Sequence, residues 1–390
     1  MTEPTPAEQP RAFETRCVHG AGGPDPLTGA VVPNISVSST FAQDAVGKHS
    51  GFEYSRSGNP TRAALERHVA LLEGADFGFA FSSGLAAEDA VLRLLAPGDA
   101  LLLSDDAYGG TFRLARQVHA PAGLVVATTD LTDLDAVRAS WTDDTKLVWV
   151  ETPTNPLLRI VDIEALAAFA HEKGALLAVD NTFATPALQQ PLALGADLVV
   201  HSSTKYLGGH SDVVGGLVAT NDTELGARIG FVQNAAGAVP GPFDSYLVHR
   251  GCRTLHLRME RHCANAETVA GMLASHPAIA AVLWPGDPAH PGHDVAAKQM
   301  SGFGGMVSLR MKGGVDAARG LCEATEVFTL AESLGAVESL IEHPGLMTHS
   351  SVSGTANEVP DDLVRLSVGI ESASDLVADL EQALDSLETG

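Results

Sequence analysis

The sequence has few basic residues. Its 390 residues include 24 Lys and Arg against 48 Asp and Glu, which gives a formal net charge of −24 at pH 7. A surface this acidic repels the phosphate backbone of nucleic acids and the headgroups of anionic membranes. The acidic residues are scattered along the chain, which is typical of a solvated surface. We therefore expect neither a nucleic acid nor a membrane as a partner.

Cysteine is also scarce. The four residues, Cys17, Cys252, Cys263 and Cys322, form no CxxC pair. Their spacing therefore indicates neither a zinc site nor a disulfide framework. Free thiols are typical of the reducing cytosol, so we expect a cytoplasmic protein without a bound metal.

Long apolar runs are absent, since none approaches the ~20 residues of a membrane-spanning helix. The start, Met1 to Arg11, lacks the apolar stretch of a signal peptide, and we expect residues 1–12 to be disordered. Hydrophobic residues nevertheless make up 45% of the chain, enough for a sizeable core. At ~150 residues per domain, the length is too great for one small domain, and we expect two domains.

Strand-like and helix-like segments alternate between about Ala63 and Thr220. The strand-like segments are short apolar runs: Phe77–Phe81, Ala100–Leu103, Leu124–Ala127, Leu147–Val150, Ala175–Val179 and Leu198–Val200. Such runs predict strands buried on both faces. The clearest helix runs from Asp162 to Lys173, with an aspartate as N-terminal cap and Gly174 after its end. Strand–helix alternation predicts βαβ units and a mainly parallel sheet.

Both ends of the chain depart from this alternation. Before about Gly58 the sequence is rich in Pro, Gly and Ser, which predicts an extended arm. After about Tyr246 it predicts a long amphipathic helix towards Ser275 and then mixed strands and helices. These are Met306–Met311, Val327–Leu330, Val364–Val368 and a closing helix Ser374–Leu387. We predict an arm at residues 1–57, a larger domain at 58–245 and a smaller α+β domain at 246–390.

Nearly every predicted strand of the larger domain ends in polar residues. These ends are Ser82-Ser83-Gly84, Ser104-Asp105, Glu151, Asp180-Asn181 and His201-Ser202. Open α/β sheets bind ligands beyond the carboxyl ends of their strands. We therefore expect these side chains to converge on one crevice.

The strongest local signal follows the last of these strands, from Ser202 to Gly209. Lys205 lies there among hydroxyl groups, and a lysine at a strand end can form an imine with a carbonyl cofactor. Ser202 and Thr204 are suited to bind a phosphate as neutral donors. An ordinary solvated lysine in a surface turn explains the motif equally well.

Three further positions add to this signal, each with an ordinary alternative. Asp180 ends an apolar strand, where a carboxylate needs a partner such as a protonated pyridine nitrogen, unless it only caps a helix or turn. The turn Ser83-Gly84-Leu85 presents free N–H groups to an anion, as any βα turn would. Tyr108 can stack on a flat ring or simply pack. Together with Lys205, these groups describe a pyridoxal-phosphate site.

Eight motifs in a fixed order carry a family resemblance. They are Tyr54-Ser55-Arg56-Ser57-Gly58-Asn59-Pro60-Thr61, Ser82-Ser83-Gly84, Tyr108-Gly109-Gly110-Thr111, Glu151-Thr152-Pro153-Thr154-Asn155-Pro156, Val179-Asp180-Asn181-Thr182-Phe183, Ser202 to Gly209, Ala331-Glu332-Ser333-Leu334-Gly335 and Arg365-Leu366-Ser367-Val368-Gly369. From about Phe13 to its C-terminus, the chain resembles the Cys/Met-metabolism pyridoxal-phosphate enzymes, the cystathionine γ-synthase and γ-lyase family. It looks most like the actinobacterial-type cystathionine γ-synthases, including the stretch from Gln233 to Asp244. The resemblance implies an aminotransferase-like (fold type I) α/β fold, with a mainly parallel-sheet large domain and a smaller α+β C-terminal domain.

The resemblance implies pyridoxal 5′-phosphate as the cofactor and assigns residues to it. Lys205 would hold it as an imine and move protons, Asp180 would pair with the ring nitrogen and Tyr108 would stack on the ring. The residues implied for the phosphate are Gly84, Leu85, Ser202 and Thr204, joined by Tyr54 and Arg56 from the arm of a neighbouring subunit. The implied assembly is a homodimer or homotetramer with shared active sites.

The resemblance also implies a small-molecule substrate, a homoserine-derived or sulfur amino acid. Asn155 and Arg365 would hold its α-carboxylate, with Ser333 beside them. Without the resemblance, Arg365 would be taken for a surface arginine on a strand. Glu332 would meet the distal ammonium of cystathionine and Arg113 a distal carboxylate, unless these two side chains only pair with each other.

The leading interpretation of the activity is γ-replacement, in which an O-acylhomoserine and cysteine give cystathionine. The alternatives are a cystathionine γ-lyase or a methionine γ-lyase, which release 2-oxobutanoate, ammonia and a thiol. Methionine γ-lyases usually carry a cysteine where this chain has Gly110. A nicotinamide dehydrogenase would need a glycine fingerprint that the sequence lacks, and a non-catalytic scaffold would not need every catalytic position to be filled.

Overall fold

The computed structural model describes residues 11–20, 22–348 and 359–388. Within these ranges the helices are α1 Phe13–His19, α2 Pro60–Glu73, α3 Gly84–Leu92, α4 Gly109–Leu114, α5 Leu134–Ser140, α6 Ile163–Glu172, α7 Thr185–Leu188, α8 Thr223–Ala236, α9 Pro242–Cys252, α10 Leu255–Ser275, α11 His293–Gln299, α12 Gly314–Ala324, α13 Pro344–Met347 and α14 Ala373–Glu388. The strands are β1 Gln43–Ala45, β2 Lys48–His49, β3 Phe77–Phe81, β4 Ala100–Ser104, β5 Val125–Thr129, β6 Thr145–Glu151, β7 Leu176–Asp180, β8 Leu198–Ser202, β9 Gly216–Thr220, β10 Ile279–Leu283, β11 Met306–Met311, β12 Thr329–Leu330, β13 Leu340–Glu342 and β14 Leu363–Ser367.

In the described part of the chain, seven strands form the larger sheet in the order β3-β9-β8-β7-β6-β4-β5. The neighbours from β8 to β5 are parallel, and β9 is antiparallel to both β3 and β8. Each of the six strands predicted between Ala63 and Thr220 overlaps a strand of this sheet, and Phe77–Phe81 matches β3 from end to end. The mainly parallel α/β fold is therefore confirmed.

Strand burial and helix caps explain the layers around this sheet. The central strands are buried on both faces because α3 and α8 pack on one side and α6 on the other. α6 has the predicted cap, since the Asp162 side chain accepts a hydrogen bond from the N–H of Ala165 (3.0 Å). Gly174 follows at φ = 73°, a backbone conformation that favours glycine.

The smaller sheet has the order β10-β11-β14-β13-β12 and is antiparallel except at the β12–β13 edge. α10, α12 and α14 cover it with apolar side chains. It lies within the predicted smaller domain, as the larger sheet lies within the predicted larger one. α9 spans the position predicted to divide the two domains, and the boundaries stay predictions.

The helix predicted from Tyr246 towards Ser275 is two helices, α9 and α10. The chain leaves helical geometry at Thr254, where φ is −114° and ψ is 12°. Buried Arg258 accounts for the break, because its guanidinium donates to the carbonyl of Gly251 (2.8 Å). That carbonyl therefore has a partner outside the helical ladder.

The arm contains more structure than its composition predicts. Residues 13–19 form α1, whose buried Cys17 packs with α2 and α10, and β1 and β2 form a short hairpin. The predicted disorder of residues 1–12 falls almost entirely outside the described residues. The strands β9, β10 and β13 were not predicted. Glycines at the start of β9 and the short length of β13 make their apolar patterns weak. None of the helices in the described ranges combines the length and apolar character that a bilayer-spanning segment needs.

Candidate active site

Four parallel strands end at one edge of the larger sheet, next to residues of the predicted site. β4 is followed by Tyr108 and β6 by Asn155, while β7 ends at Asp180 and β8 at Ser202. Glu151, the last residue of β6, lies directly opposite Asp180 in the register. Residues that are distant in the sequence are therefore neighbours at the carboxyl edge, as expected for this class of sheet.

Lys205 lies in the turn that follows β8. Its N–H donates to the carbonyl of Ser202 (3.2 Å), and its carbonyl accepts from the N–H of Gly209 (2.8 Å). The amine Nζ donates to Oγ of Ser333 (2.8 Å). Burial lowers the pKa of the Lys205 amine to about 8, and the nearby Arg365 acts in the same direction. An appreciable fraction of the amine is thus uncharged near neutral pH, the state that attacks a carbonyl or accepts a proton.

Arg365 on β14 joins Asn155 and Ser333 into one hydrogen-bonded group. Nη1 donates to Oδ1 of Asn155 (2.9 Å) and Nη2 to the carbonyl of Ser333 (2.7 Å). Ser333 has φ = 88°, which lies in the left-handed region of backbone conformation that residues other than glycine rarely adopt. This strained residue bonds Lys205 through its hydroxyl and Arg365 through its carbonyl, an arrangement typical of functional sites.

Glu342 belongs to the same group and was not predicted from the sequence. It faces Arg365 across the antiparallel β13–β14 pair, and its Oε1 lies 2.9 Å from Nη1. Both side chains are buried. Burial raises the pKa of Glu342, and Arg365 opposes that change. The signal that could have found this ion pair is the strand register, which a single sequence does not reveal.

The turn between β3 and α3 has the form of an anion-binding helix N-terminus. Ser83 caps the helix by accepting a hydrogen bond from the N–H of Ala86 (3.1 Å). This fully described first turn, which includes Gly84 and Leu85, carries no acidic residue that would compete with a phosphate. A Cβ on Gly84 would lie 2.9 Å from Cβ of Ser202. Glycine at this position therefore lets the turn and the end of β8 approach closely.

Ser202 and Thr204 follow on the other side of this close approach. The N–H of Ser202 donates to Oγ1 of Thr182 (2.8 Å). Oγ1 of Thr204 accepts from the N–H of Gly215 (3.1 Å) and donates to the carbonyl of the same residue (3.3 Å). Both side chains are half-buried, and the Thr204 hydroxyl is held by both bonds to Gly215.

Three buried carboxyl groups lie around the end of β7. Asp180 accepts a hydrogen bond from the N–H of Thr182 (2.9 Å); Glu151 lies beside it, and Glu88 on α3 is within electrostatic range. Burial raises the pKa of all three carboxyl groups, of Glu88 to about 8, and repulsion by Asp180 adds to the increase for Glu88 and Glu151. A cationic ring N–H opposite Asp180 would offset this concentration of negative charge.

Tyr108 is positioned by the carboxyl cluster. Its backbone N–H donates to Oε2 of Glu151 (2.9 Å), and its ring is about one-third exposed. A Cβ on Gly110 would collide with this ring. Gly110 thus leaves the room in which the ring lies, and the exposed part of the ring is available for stacking.

Arg113 and Glu332 are exposed, and both are within electrostatic range of Tyr108. Burial raises the pKa of the Tyr108 hydroxyl, and the charges of Arg113 and Glu332 act on it in opposite directions. In the described part of the chain, no ion pair joins Arg113 to Glu332. The roles of these two side chains towards a substrate therefore stay predictions.

Tyr54 and Arg56 lie on the arm, and the single chain does not bring them into the cluster around Lys205. Nε of Arg56 donates to Oδ1 of Asn234 (3.4 Å), and the guanidinium lies 5.3 Å from the centre of the Tyr54 ring. Both side chains are exposed.

These groups fit pyridoxal phosphate by their chemistry. They include a half-buried amine with a lowered pKa, a helix start free of acids beside the side chain of Ser202, a buried acid and a partly exposed ring. Oε2 of Glu88 is buried without a hydrogen-bond partner among the described residues. Together with the nearby carboxyl group of Asp180, it leaves room for a positively charged group of a ligand. Within the described ranges, no cluster of three or more His, Cys, Asp or Glu side chains could hold a metal.

Comparisons with known proteins agree with this geometry. The sequence model described as "Cys/Met metabolism PLP-dependent enzyme" matches residues 14–385. A cystathionine gamma-synthase of Mycobacterium tuberculosis is 61% identical over 372 residues, covering 95% of this chain and 96% of the relative. A cystathionine beta-lyase of Lactococcus lactis is 52% identical over 377 residues, covering 96% and 99%. The crystal structure of cystathionine gamma synthase from Xanthomonas oryzae in complex with cystathionine has a TM-score of 0.95 and 45% identity, covering 97% and 99%.

Proposed function

Since the chain belongs to the Cys/Met metabolism PLP-dependent enzyme family, we propose that it acts at the γ-carbon of a homoserine-derived amino acid. The leading reaction is γ-replacement, in which an O-acylhomoserine and cysteine give cystathionine and a carboxylic acid. Support comes from the 61% identity to a cystathionine gamma-synthase over nearly the whole of both chains.

One observation carries the proposal within the molecule. Ser333 accepts a hydrogen bond from the amine of Lys205 and, through its carbonyl, another from the guanidinium of Arg365. The group suited to proton transfer and the group suited to hold an α-carboxylate are therefore separated by a single residue. An α-amino acid needs both groups at this spacing, because its carboxylate and its acidic C–H lie on the same carbon.

The residues divide the chemistry between them. Pyridoxal 5′-phosphate, when bound, supplies an electron sink beside the α-carbon of the substrate. Lys205 Nζ takes the α-proton and carries protons along the substrate, and Asp180 would hold the cofactor by pairing with its ring nitrogen. Arg365 and Asn155 orient the α-carboxylate with planar hydrogen bonds. The acyl group leaves the γ-carbon as a carboxylate, and the sulfur of cysteine forms the new bond to that carbon while its thiol proton is released.

Cleavage of cystathionine is the second candidate. The 52% identity to a cystathionine beta-lyase over nearly the whole chain favours it. The same amine, acid and arginine would serve, and the fate of the carbon–sulfur bond would differ.

We also propose a homodimer or a homotetramer of dimers, in which Tyr54 and Arg56 reach the cofactor phosphate of the neighbouring subunit. The groups with which the chain's own site would bind the phosphate, in the turn at Gly84 and at Ser202 and Thr204, are neutral. An arginine from a neighbouring subunit would therefore balance the negative charge of the phosphate. Apolar side chains on the arm, including Leu27 and Val37, are largely exposed in the single chain. A second copy would cover them. The four unpaired cysteines support a cytoplasmic location.

A direct assay tests the function. The purified protein should be yellow and should lose this colour with borohydride. It should then be supplied in parallel with O-acylhomoserine plus cysteine, with cystathionine and with methionine. Formation of cystathionine as the fastest reaction supports the proposal. A preference for cystathionine cleavage selects the second candidate, and a preference for methionine contradicts both.

A further inference from the structure

Arg62, in the first turn of α2, reaches back to the segment that carries Tyr54 and Arg56. Its side chain is only 2% exposed. Nη1 donates to the carbonyl of Ser55 (2.7 Å) and Nη2 to the carbonyl of Arg56 (3.0 Å). One planar guanidinium therefore fixes two consecutive peptide groups, a geometry that the single ammonium of a lysine cannot reproduce.

The other side of Arg62 is tied to the larger sheet. Its Nε lies 3.3 Å from Oε1 of Glu66. The same oxygen accepts from the N–H of Ala80 (3.0 Å) and from Nε2 of Gln233 (2.8 Å), and Nε2 also donates to the carbonyl of Ala80 (2.8 Å). Ala80 lies on β3, which ends just before the anion-binding turn. A continuous set of contacts thus joins that turn to the arm.

Two more side chains hold the arm segment. Nδ2 of Asn59 donates to Oγ of Ser55 (3.2 Å), and Oδ1 of Asn234 accepts from Arg56 and from Oγ of Ser57 (3.3 Å). The backbone from residue 55 to 57 is therefore ordered within the single chain, while the Arg56 side chain stays exposed. Such an arrangement presents a guanidinium without a large loss of conformational entropy on binding.

We propose that Arg62 is a positioning residue for the cofactor of the neighbouring subunit, acting through the backbone of Ser55 and Arg56. The inference rests on the proposed sharing of the active site and extends it. In the described part of the chain, Arg62 makes these contacts with the arm and with Glu66 and bonds none of Lys205, Asp180 or Ser202 in its own subunit. Its removal should therefore weaken the site of the partner and leave the site of its own subunit complete.

Cofactor titration is the first test. Arg62→Lys keeps a positive charge beside Glu66 and should fold, but it releases at least one of the two carbonyls. We expect the apparent dissociation constant for pyridoxal phosphate to rise about tenfold, as for the loss of one charge-assisted hydrogen bond. The matched control is Arg228→Lys on α8, where the guanidinium donates to the Leu94 carbonyl far from the arm in sequence. An unchanged constant in Arg62→Lys, or an equal rise in the control, overturns the inference.

Mixed dimers distinguish a role of Arg62 in positioning the partner's cofactor from a general effect on the stability of its own subunit. Arg62→Met and Lys205→Ala, each inactive or weak alone at limiting cofactor, are exchanged into one dimer. One site then combines Lys205 from the first subunit with an intact arm from the second. We expect activity above that of the two parents together.

Arg56→Ala mixed with Lys205→Ala, under conditions shown to exchange subunits, is the reference. Restoration with Arg56→Ala but not with Arg62→Met refutes the role of Arg62 and leaves the shared site standing. Failure of the reference pair refutes the shared site, and the inference falls with it. Restoration by both pairs supports the positioning role, because an Arg62 variant damaged in its own site could not be rescued by a partner arm.

Discussion

Arg365 and Glu342 face each other across β13 and β14 and form a buried ion pair of 2.9 Å. The guanidinium also donates to Asn155 and Ser333. Under the proposed function, an incoming α-carboxylate would meet an arginine that a carboxylate already holds in place. Glu342 orients the fork of Arg365 and keeps its charge compensated while no substrate is bound.

Removal of Glu342 should destabilise the free enzyme. Glu342→Ala leaves Arg365 as an uncompensated buried charge, which costs about 3–5 kcal/mol of the free energy of unfolding. A bound amino acid should recover part of this loss, because its α-carboxylate takes over the role of the missing partner. Denaturant unfolding with and without a non-reactive amino acid measures both effects.

The control for Glu342 is Glu323→Ala, which breaks an exposed pair with Arg319 and should change stability by about 0.5 kcal/mol or less. Equal effects of the two substitutions would contradict the role given to Glu342.

Lys205→Ala should abolish turnover and leave the fold intact. A methyl group neither attacks a carbonyl nor carries a proton, so kcat should fall by roughly 10²–10⁴-fold or more. Borohydride should no longer fix the cofactor to the protein, which mass spectrometry of the treated chain detects. Lys173→Ala removes an exposed lysine on the surface and serves as control. Near-wild-type activity of Lys205→Ala would contradict the proposed function as a whole.

The sequence was sufficient to predict which residues lie together at the carboxyl edge of the larger sheet. Apolar runs ending in polar residues identify buried parallel strands, and parallel strands place their ends side by side. For this reason Asp180, Ser202 and Lys205 could be expected near one another from the order of residues alone.

What the sequence could not predict depends on contacts between distant segments. The Glu342–Arg365 pair is set by strand register, and the break between α9 and α10 by the buried guanidinium of Arg258. The contacts of Arg62 and Glu66 likewise join β3, α2 and the arm. Side-chain placement of this kind follows from packing, to which local patterns of polarity contribute little.

A buried histidine pair should make stability sensitive to mild acid. Nδ1 of His68 lies 2.9 Å from Nδ1 of His249. Burial lowers the pKa of His68 to about 3 and that of His249 to about 4, and in His68 the neighbouring ring adds to the effect. Because these values lie below the ~6.5 of an unfolded histidine, the unfolded chain binds protons first. Stability is therefore complete above about pH 6.5 and declines as the pH falls towards 4.

Replacement of one histidine of this pair should weaken the loss of stability in acid. We expect His249→Gln to lose less stability than the wild type between pH 7 and pH 5, by on the order of 1–2 kcal/mol, because one titrating group is gone. Denaturant unfolding at both pH values measures the difference. If the two proteins lose stability in parallel, the acid sensitivity arises elsewhere.

Glu332→Ala should separate cystathionine chemistry from chemistry on methionine. Cystathionine carries a second ammonium and carboxylate, whereas the methyl group of methionine offers no charge. Glu332 and Arg113 are both exposed and unpaired with each other in the described part of the single chain, so both charges are available to a ligand. The loss of one charge-assisted contact costs roughly 1.5–3 kcal/mol, or about ten- to a hundredfold in kcat/KM.

The expected pattern is a large decrease in cystathionine formation or cleavage and little change in any activity on methionine. Steady-state kinetics on both substrates measure it, and Glu323→Ala, which removes an exposed acid on α12, is the control that should change neither. An equal loss on both substrates in Glu332→Ala would assign this residue to the part of the site that all amino acids share. A wild-type preference for methionine would contradict the specificity but leave the fold and the cofactor in place, because neither Glu332 nor Arg113 takes part in holding them.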